Sequence, residues 1–222
     1  MKSLLVISLL FISVALLPFG LPAAGWLWES LNGLGLAAMV LFVVLAFEAQ
    51  TPSPPVALRQ HQALAILATV LVALHALGFL LADPILLEHL KPSAPWSMLS
   101  ALLALLLLLI LCVASFPRWR RYVWPRFAVF RRWHLGLSLL TIGLMLWHLL
   151  GTASVFAETW RAASLVALMA GIPLVAVMIR GRGGVPVMVR DMESPADPIR
   201  AAIRIGCACL LFAVFYGGLK QP

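Results

Sequence analysis

The chain has little charge for its length. Only 11% of its 222 residues are charged, whereas 63% are hydrophobic, and the mean hydropathy is +1.04. Soluble domains have about 45–50% apolar and about 25% charged residues, so this composition excludes an ordinary soluble globular protein. Several apolar stretches of roughly 18 residues or more instead predict an all-α, polytopic helical membrane protein.

Acidic residues and cysteines are also scarce. Eight Asp and Glu stand against 16 Lys and Arg, which gives a net charge of +8. These cations lie in short segments between apolar stretches, where they set the orientation of membrane spans, and we expect no nucleic-acid partner. The three cysteines, Cys112, Cys207 and Cys209, form no CxxC pair and no metal-ligand spacing. We interpret them as small apolar residues.

Six apolar stretches predict six spans. Lys2 and the apolar run after it imitate a secretory signal peptide, but we expect this segment to be retained as the first span. The predicted spans are residues 3–24, 31–49, 57–82, 96–116, 130–150 and 160–179.

A further apolar segment covers residues 201–219 and is long enough for a seventh span. Arg200 and Arg204 leave an interfacial helix as the alternative. We therefore predict a six-helix transmembrane domain over residues 1–180, and a cytoplasmic linker with a C-terminal transmembrane or interfacial helix over residues 181–222.

The basic residues are concentrated on one side of these spans. If residues 201–219 cross the membrane, all 16 Lys and Arg except Lys91, Arg161 and Lys220 lie on the side of the N-terminus. Cytoplasmic loops carry an excess of Lys and Arg, so we expect the N-terminus in the cytoplasm. The third and fifth spans then both run outward from the cytoplasm.

Four of the five histidines form two pairs with the same spacing. His61 and His75 are 14 residues apart in the third span, and His134 and His148 are 14 residues apart in the fifth. Fourteen helical residues return to within about 40° of the starting direction and rise about 21 Å. Each pair therefore shares one helix face, with its members at two depths. Because the two spans are parallel, one histidine of each span lies near the cytoplasm and the other nearer the outside.

This arrangement suits heme iron. Neutral imidazole is an iron ligand, and two facing imidazoles at each depth would hold two stacked b-type hemes across a hydrocarbon core of about 30 Å. Such iron has no open position for a small molecule, which favours electron transfer. Arg59, Arg131 and Arg132 could pair with heme propionates, although snorkelling to the interface is the simpler interpretation of each. His89, beside Glu88 in an outer loop, falls outside the pattern; we interpret it as solvated, with a substrate or partner role as the alternative.

The four histidines, with the lead-in Phe130-Arg131-Arg132-Trp133-His134, resemble the ferric reductase-like transmembrane domain. Ferric reductases, NADPH oxidases and the heme subunit of the methionine sulfoxide reductase system share this domain. The resemblance covers residues 31–180. It implies that His61 and His134 bind the inner heme, that His75 and His148 bind the outer heme, and that the chain is the heme subunit of an oxidoreductase.

Relatives in that superfamily usually continue into flavin and nicotinamide domains. Here no dinucleotide fingerprint of the GxGxxG type follows the sixth span. The resemblance therefore implies that FAD acts only through a partner, and that a cytoplasmic flavoprotein reductase or a membrane quinol donates the electrons.

Three functions remain open on the sequence. The first is a conduit that delivers electrons to an extracytoplasmic acceptor such as ferric iron, oxygen or a periplasmic redox protein. The second is a quinol-oxidising membrane cytochrome b, although no Pro-Glu-Trp-Tyr motif is present. The third is a heme-free transporter or assembly protein, against which the spans lack paired acids and broken helices. By analogy, short loops and small size favour a bacterial inner membrane.

Overall fold

The computed structural model describes residues 12–13, 24–48, 55–152, 158–168 and 198–219. Every regular element among these residues is helical, and they contain no strand. Five of the helices are long and apolar enough to cross a membrane, which supports an integral helical membrane protein. The expected first span, most of the sixth and the tail after it lie outside the described residues.

The described helices are numbered here in chain order. They are α1 (Trp26–Glu48), α2 (Pro55–Ala82), a 3-10 helix (Pro84–Leu90), α3 (Trp96–Ser115), α4 (Pro117–Val123), α5 (Phe127–Gly151), α6 (Thr159–Val166) and α7 (Pro198–Leu219). The five candidate spans fall in α1, α2, α3, α5 and α7.

Helix α1 begins earlier than the sequence indicates. Trp26 and Trp28 precede the predicted span of residues 31–49 and lie in the first turn of the helix. Gly25 precedes it with a φ of +106°, a conformation that glycine adopts readily. Glu29 stabilises this start, since its carboxylate accepts a hydrogen bond of 3.1 Å from the backbone N–H of Ala24 and an acidic group is favourable at a helix N-terminus.

The chain divides into two compact units, one of Met1–Ala82 with Glu158–Pro222 and the other of Asp83–Ala157. In the first unit α1 is the central helix, and Ala37, Ala38 and Val40 are fully buried. Helix α2 packs antiparallel to it: the rings of Trp28 and Phe79, at the start of α1 and the end of α2, lie 4.8 Å apart.

Helix α7 packs lengthwise along α1, also antiparallel. Ala213 contacts Gly33, where an added Cβ would lie 2.8 Å from the Ala213 Cα, and further along α7 Gly217 contacts Ser30. The buried residues of α7 recur at helical spacing: Gly206, Cys209, Ala213, Tyr216 and Gly217. This packed stripe of small residues is typical of helices that associate inside a membrane.

The second unit is built on the antiparallel pair α3 and α5. The 3-10 helix precedes α3 and is capped by Asp83, whose side chain accepts a 3.0 Å hydrogen bond from the N–H of Ile85. An ion pair of 2.6 Å joins Glu88 and Lys91 at its other end. These residues lie in the segment that the sequence indicates as a loop.

The basic stretch between the fourth and fifth predicted spans contains a short helix, α4. Pro117 is its first residue, a position at which proline is already in helical conformation and lacks no hydrogen bond. The guanidinium of Arg120 lies over the rings of Phe127 and Phe130, at 5.2 and 5.7 Å. This contact fastens α4 to the start of α5, which therefore begins at Phe127, three residues before the predicted span.

Candidate functional site

The two histidine pairs lie on two uninterrupted helices. His61 and His75 belong to α2, and His134 and His148 belong to α5. All residues between the members of each pair are helical, so each pair shares a face and is separated by about 21 Å along the helix axis. The prediction of two hemes at two depths in the membrane depends on this geometry.

His75 faces α1 and makes a defined hydrogen bond. Its Nδ1 lies 2.8 Å from the carbonyl oxygen of Leu31. A carbonyl oxygen can only accept, so Nδ1 carries the proton and Nε2 is the basic nitrogen of the neutral ring. The ring also packs edge-on against Phe79, with centroids 5.0 Å apart.

Two glycines allow α1 and α2 to approach each other at this point. A Cβ at Gly35, on α1, would lie 2.9 Å from the Nδ1 and Cε1 of His75. A Cβ at Gly78, on α2, would collide with the side chain of Leu31, the residue whose carbonyl accepts from His75. The imidazole is thus held in a close contact between backbones that larger residues would separate.

His148 has a corresponding environment in the other unit. Its Nδ1 lies 3.1 Å from the carbonyl oxygen of Ser97, in the first turn of α3. The same carbonyl accepts a hydrogen bond of 2.7 Å from the hydroxyl of Ser100. A Cβ at Gly151, three residues after His148, would collide with the Cβ of Ser97.

The surroundings of His75 and His148 therefore follow one pattern. In both, the histidine donates Nδ1–H to a backbone carbonyl near the start of an antiparallel helix, and a glycine three residues later contacts the acceptor residue itself. The sequence signal is the repeated His-x-x-Gly at residues 75–78 and 148–151. The histidine spacing alone gives no indication of a role for Gly151.

His134 is held by a side chain of α3. Its Nδ1 lies 3.5 Å from the hydroxyl oxygen of Ser115, which itself donates a hydrogen bond of 2.7 Å to the carbonyl of Leu111. Since that donation uses the hydroxyl proton, the Ser115 oxygen acts as the acceptor for His134, which again places the proton on Nδ1. Phe130 packs one turn before it, with ring centroids 5.2 Å apart.

Helix α3, a span composed mostly of leucine, contains the residues that accept hydrogen bonds from His134 and His148. Ser97 and Ser100 are buried at its start and Ser115 lies at its end, so both histidines of α5 contact this helix through a serine residue. Three serines in a run dominated by leucine are the signal that sequence reasoning passes over.

The remaining predicted residues range from half-buried to exposed. His61 is half-buried near the start of α2, and Arg59, Arg131 and Arg132 are exposed. Along α5, Gly136 and Gly143 have no atom within 4 Å of an added Cβ. His89 is half-buried in the last turn of the 3-10 helix. An open groove runs along α5 and is lined by Arg132, Trp133, Gly136, Leu137 and Leu140.

No group of three or more His, Cys, Asp and Glu side chains that could hold a bare metal ion occurs among the described residues. Heme iron requires less, because the porphyrin fills four positions and the protein supplies two imidazoles. His75 and His148, whose Nδ1 atoms donate to backbone carbonyls and leave Nε2 for the iron, fit that requirement. The pairing of α2 histidines with α5 histidines stays a prediction.

Comparison with known proteins adds no relative. No protein-family model, no curated protein and no solved structure matches this chain.

Proposed function

We propose that the chain is the heme subunit of a transmembrane oxidoreductase of the ferric reductase-like kind. It would carry two bis-histidine b-type hemes and move electrons from a cytoplasmic donor to an extracytoplasmic acceptor. One observation carries the proposal: His75 and His148, the two predicted outer ligands, both donate Nδ1–H to a backbone carbonyl. Histidines that ligate metals characteristically make this bond, because it fixes the tautomer and directs Nε2 to the metal.

The assignment of ligands follows the spacing. His75 and His148 would hold the outer heme, and His61 and His134 the inner one. The Nδ1 contact of His134 with Ser115 extends the same tautomer to the inner level. Arg59, Arg131 and Arg132 are exposed near the inner histidines and would neutralise propionates there.

The residues of the chain then have separate tasks. Bound heme supplies one-electron chemistry. Two imidazoles would hold each heme, and a heme held in this way would serve electron transfer rather than direct binding of an acceptor. The four histidines are half-buried in the chain, and the apolar helices together with the lipid around them would exclude water, which is one of the means by which a protein sets a heme potential.

The donor and the acceptor would be separate molecules. A cytoplasmic flavoprotein reductase with bound FAD, or a membrane quinol, would donate electrons at the inner level. The acceptor would meet the chain on the outer side, with ferric iron, oxygen and a periplasmic redox protein as the candidates. We propose a bacterial inner membrane by analogy, from the short loops and small size, and a cytoplasmic N-terminus because the Lys and Arg distribution follows the positive-inside rule.

An absorption spectrum tests the proposal directly. The purified chain, reduced with dithionite, should show a sharp b-type α-band, and pyridine extraction should give two hemes per chain. A colourless protein, or one heme or less, would reject it. Reduction of the oxidised protein by NADPH with a flavoprotein reductase, compared with reduction by a quinol analogue, then separates a flavoprotein-fed subunit from a quinol-oxidising cytochrome b.

A further inference from the structure

We propose that Gly78 and Gly151 are positioning residues that hold the outer pair of imidazoles in Nδ1–H hydrogen bonds to the backbone carbonyls of Leu31 and Ser97. This inference rests on the proposed function. It adds that the outer heme potential is set by two helix–helix contacts, one in each unit, that have the same construction.

The contact in the first unit depends on the missing side chain of Gly78. His75 and Gly78 lie on one face of α2, one turn apart, as residues three apart do. The imidazole reaches the Leu31 carbonyl at 2.8 Å, and a Cβ at Gly78 would overlap the Leu31 side chain. A methyl group there would displace the end of the Leu31 side chain, which can turn aside, so we expect only a small shift of α2 and a small lengthening of the hydrogen bond.

In the second unit, an added methyl group at Gly151 would meet a group that cannot move. A Cβ at Gly151 would overlap the Cβ of Ser97 and would lie 3.6 Å from its Cα, so the colliding group is next to the main chain and cannot rotate away. The His148 bond to the same residue is already 3.1 Å long. The same methyl substitution should therefore weaken this bond more than the His75 bond.

The consequence for iron follows from the chemistry of imidazole. An acceptor at Nδ1–H makes the ring a stronger base and a stronger electron donor through Nε2. A stronger donor stabilises ferric more than ferrous iron and lowers the potential. Releasing either bond should move the outer heme potential in the positive direction and leave the inner one in place.

The chain provides a matched control in α5. An added Cβ at Gly143 meets nothing within 4 Å, although this glycine lies in the same helix as Gly151 and five residues before His148. Alanine there should favour the helix without moving it. Gly143→Ala therefore introduces the same chemical change without the helix–helix collision.

The experiment is a redox titration of the purified two-heme protein with electron paramagnetic resonance of its low-spin ferric signals. The variants are Gly78→Ala, Gly151→Ala and Gly143→Ala. In the first two, one of the two potentials should become more positive and one of the two low-spin signals should shift. Gly143→Ala should match the starting protein in both measurements.

Second-site variants provide a rescue that a general packing defect would not show. Leu31→Ala should relieve the collision that Gly78→Ala introduces, and Ser97→Gly should relieve the one that Gly151→Ala introduces, since both keep the accepting carbonyl. Each double variant should regain the original potential and signal, including when the single variant fails to accumulate.

The outcomes separate the two proposals. Unchanged potentials and signals in Gly78→Ala and Gly151→Ala would overturn the positioning role, as would equal shifts of both hemes or doubles that stay defective. A starting protein without heme would instead reject the proposed function itself.

Discussion

The hydroxyl oxygen of Ser115, the last residue of α3, lies 3.5 Å from the Nδ1 of His134, which is about two turns into α5. This is the one Nδ1 contact of the candidate ligands, among those described above, that uses a side chain as acceptor. It can be removed by a substitution, whereas the carbonyls of Leu31 and Ser97 cannot. A substitution of Ser115 can therefore remove the hydrogen-bond acceptor of His134, a predicted ligand of the inner heme.

Ser115→Ala should raise the potential of the inner heme. The substitution removes the acceptor for the His134 Nδ1–H, which weakens the donor strength of the ring. Only the difference in hydrogen-bond strength between ferric and ferrous heme moves the potential, so a net contribution of about 0.5–1.5 kcal/mol sets an upper limit of roughly 20–60 mV for a one-electron couple. The long distance favours a smaller shift. Potentiometric titration measures it. Ser164→Ala, which loses only an exposed intrahelical bond to the Trp160 carbonyl, should leave both potentials unchanged.

Removing one histidine should remove one heme. His75→Ala should lower the heme content from two to one per chain, since the inner pair keeps both of its ligands. His148→Ala should leave a protein with the same residual spectrum and potential. The measurement is pyridine hemochrome per protein, followed by a redox titration. His89→Ala, outside the two pairs, should keep both hemes.

The complementary pair extends that test. His61→Ala and His134→Ala should each remove the inner heme and leave one common residual spectrum, different from that of the outer-site variants. If His75→Ala instead left the same residual spectrum as His61→Ala, these two histidines of α2 would serve the same heme. The pairing of α2 histidines with α5 histidines would then be wrong. If both hemes survived His75→Ala, that histidine would not be a ligand.

The helices themselves were predictable because membrane spans require long apolar runs. The sequence predicts the third span at residues 57–82, and α2 is Pro55–Ala82. The apolar run ends at Asp83-Pro84, where an α-helix is disfavoured. The spacing of the four histidines and its helical face were equally visible in sequence. A face depends only on residue numbers once the helix is uninterrupted.

The acceptors of the histidine hydrogen bonds were not predictable in the same way. Leu31 and Ser97 accept through backbone carbonyls, and a carbonyl carries no residue signature. Only the glycines that admit the close approach, Gly78 and Gly151, leave a trace in sequence. Helix α4 is not predicted for another reason. Its arginines indicate a cytoplasmic loop that sets the orientation of the spans, whereas Pro117 is the first residue of a helix.

Helix α7 offers a test of the first unit that does not involve heme. A Cβ at Gly217 would collide with the Ser30 hydroxyl and lie 2.8 Å from the Trp26 carbonyl oxygen, so it meets main chain that cannot yield. Overpacking of this kind costs about 1–3 kcal/mol. Gly217→Ala should therefore lower the thermal unfolding midpoint in detergent, and Gly218→Ala, which meets nothing within 4 Å, should not. Equal midpoints would show that α7 does not pack on α1 as described.

The antiparallel packing of α2 and α7 on α1 also predicts their topology. The ends of α2 at Ala82 and of α7 at Leu219 lie at the same end of the first unit as Trp26, the start of α1. If α7 crosses the membrane, alkaline phosphatase inserted after Ala82 or fused after Leu219 should be active in both cases, because the positive-inside rule places that end outside. A fusion after Trp124, in the arginine-rich segment, should be inactive. Activity after Ala82 with none after Leu219 would mean that α7 lies at the interface, the alternative that Arg200 and Arg204 left open.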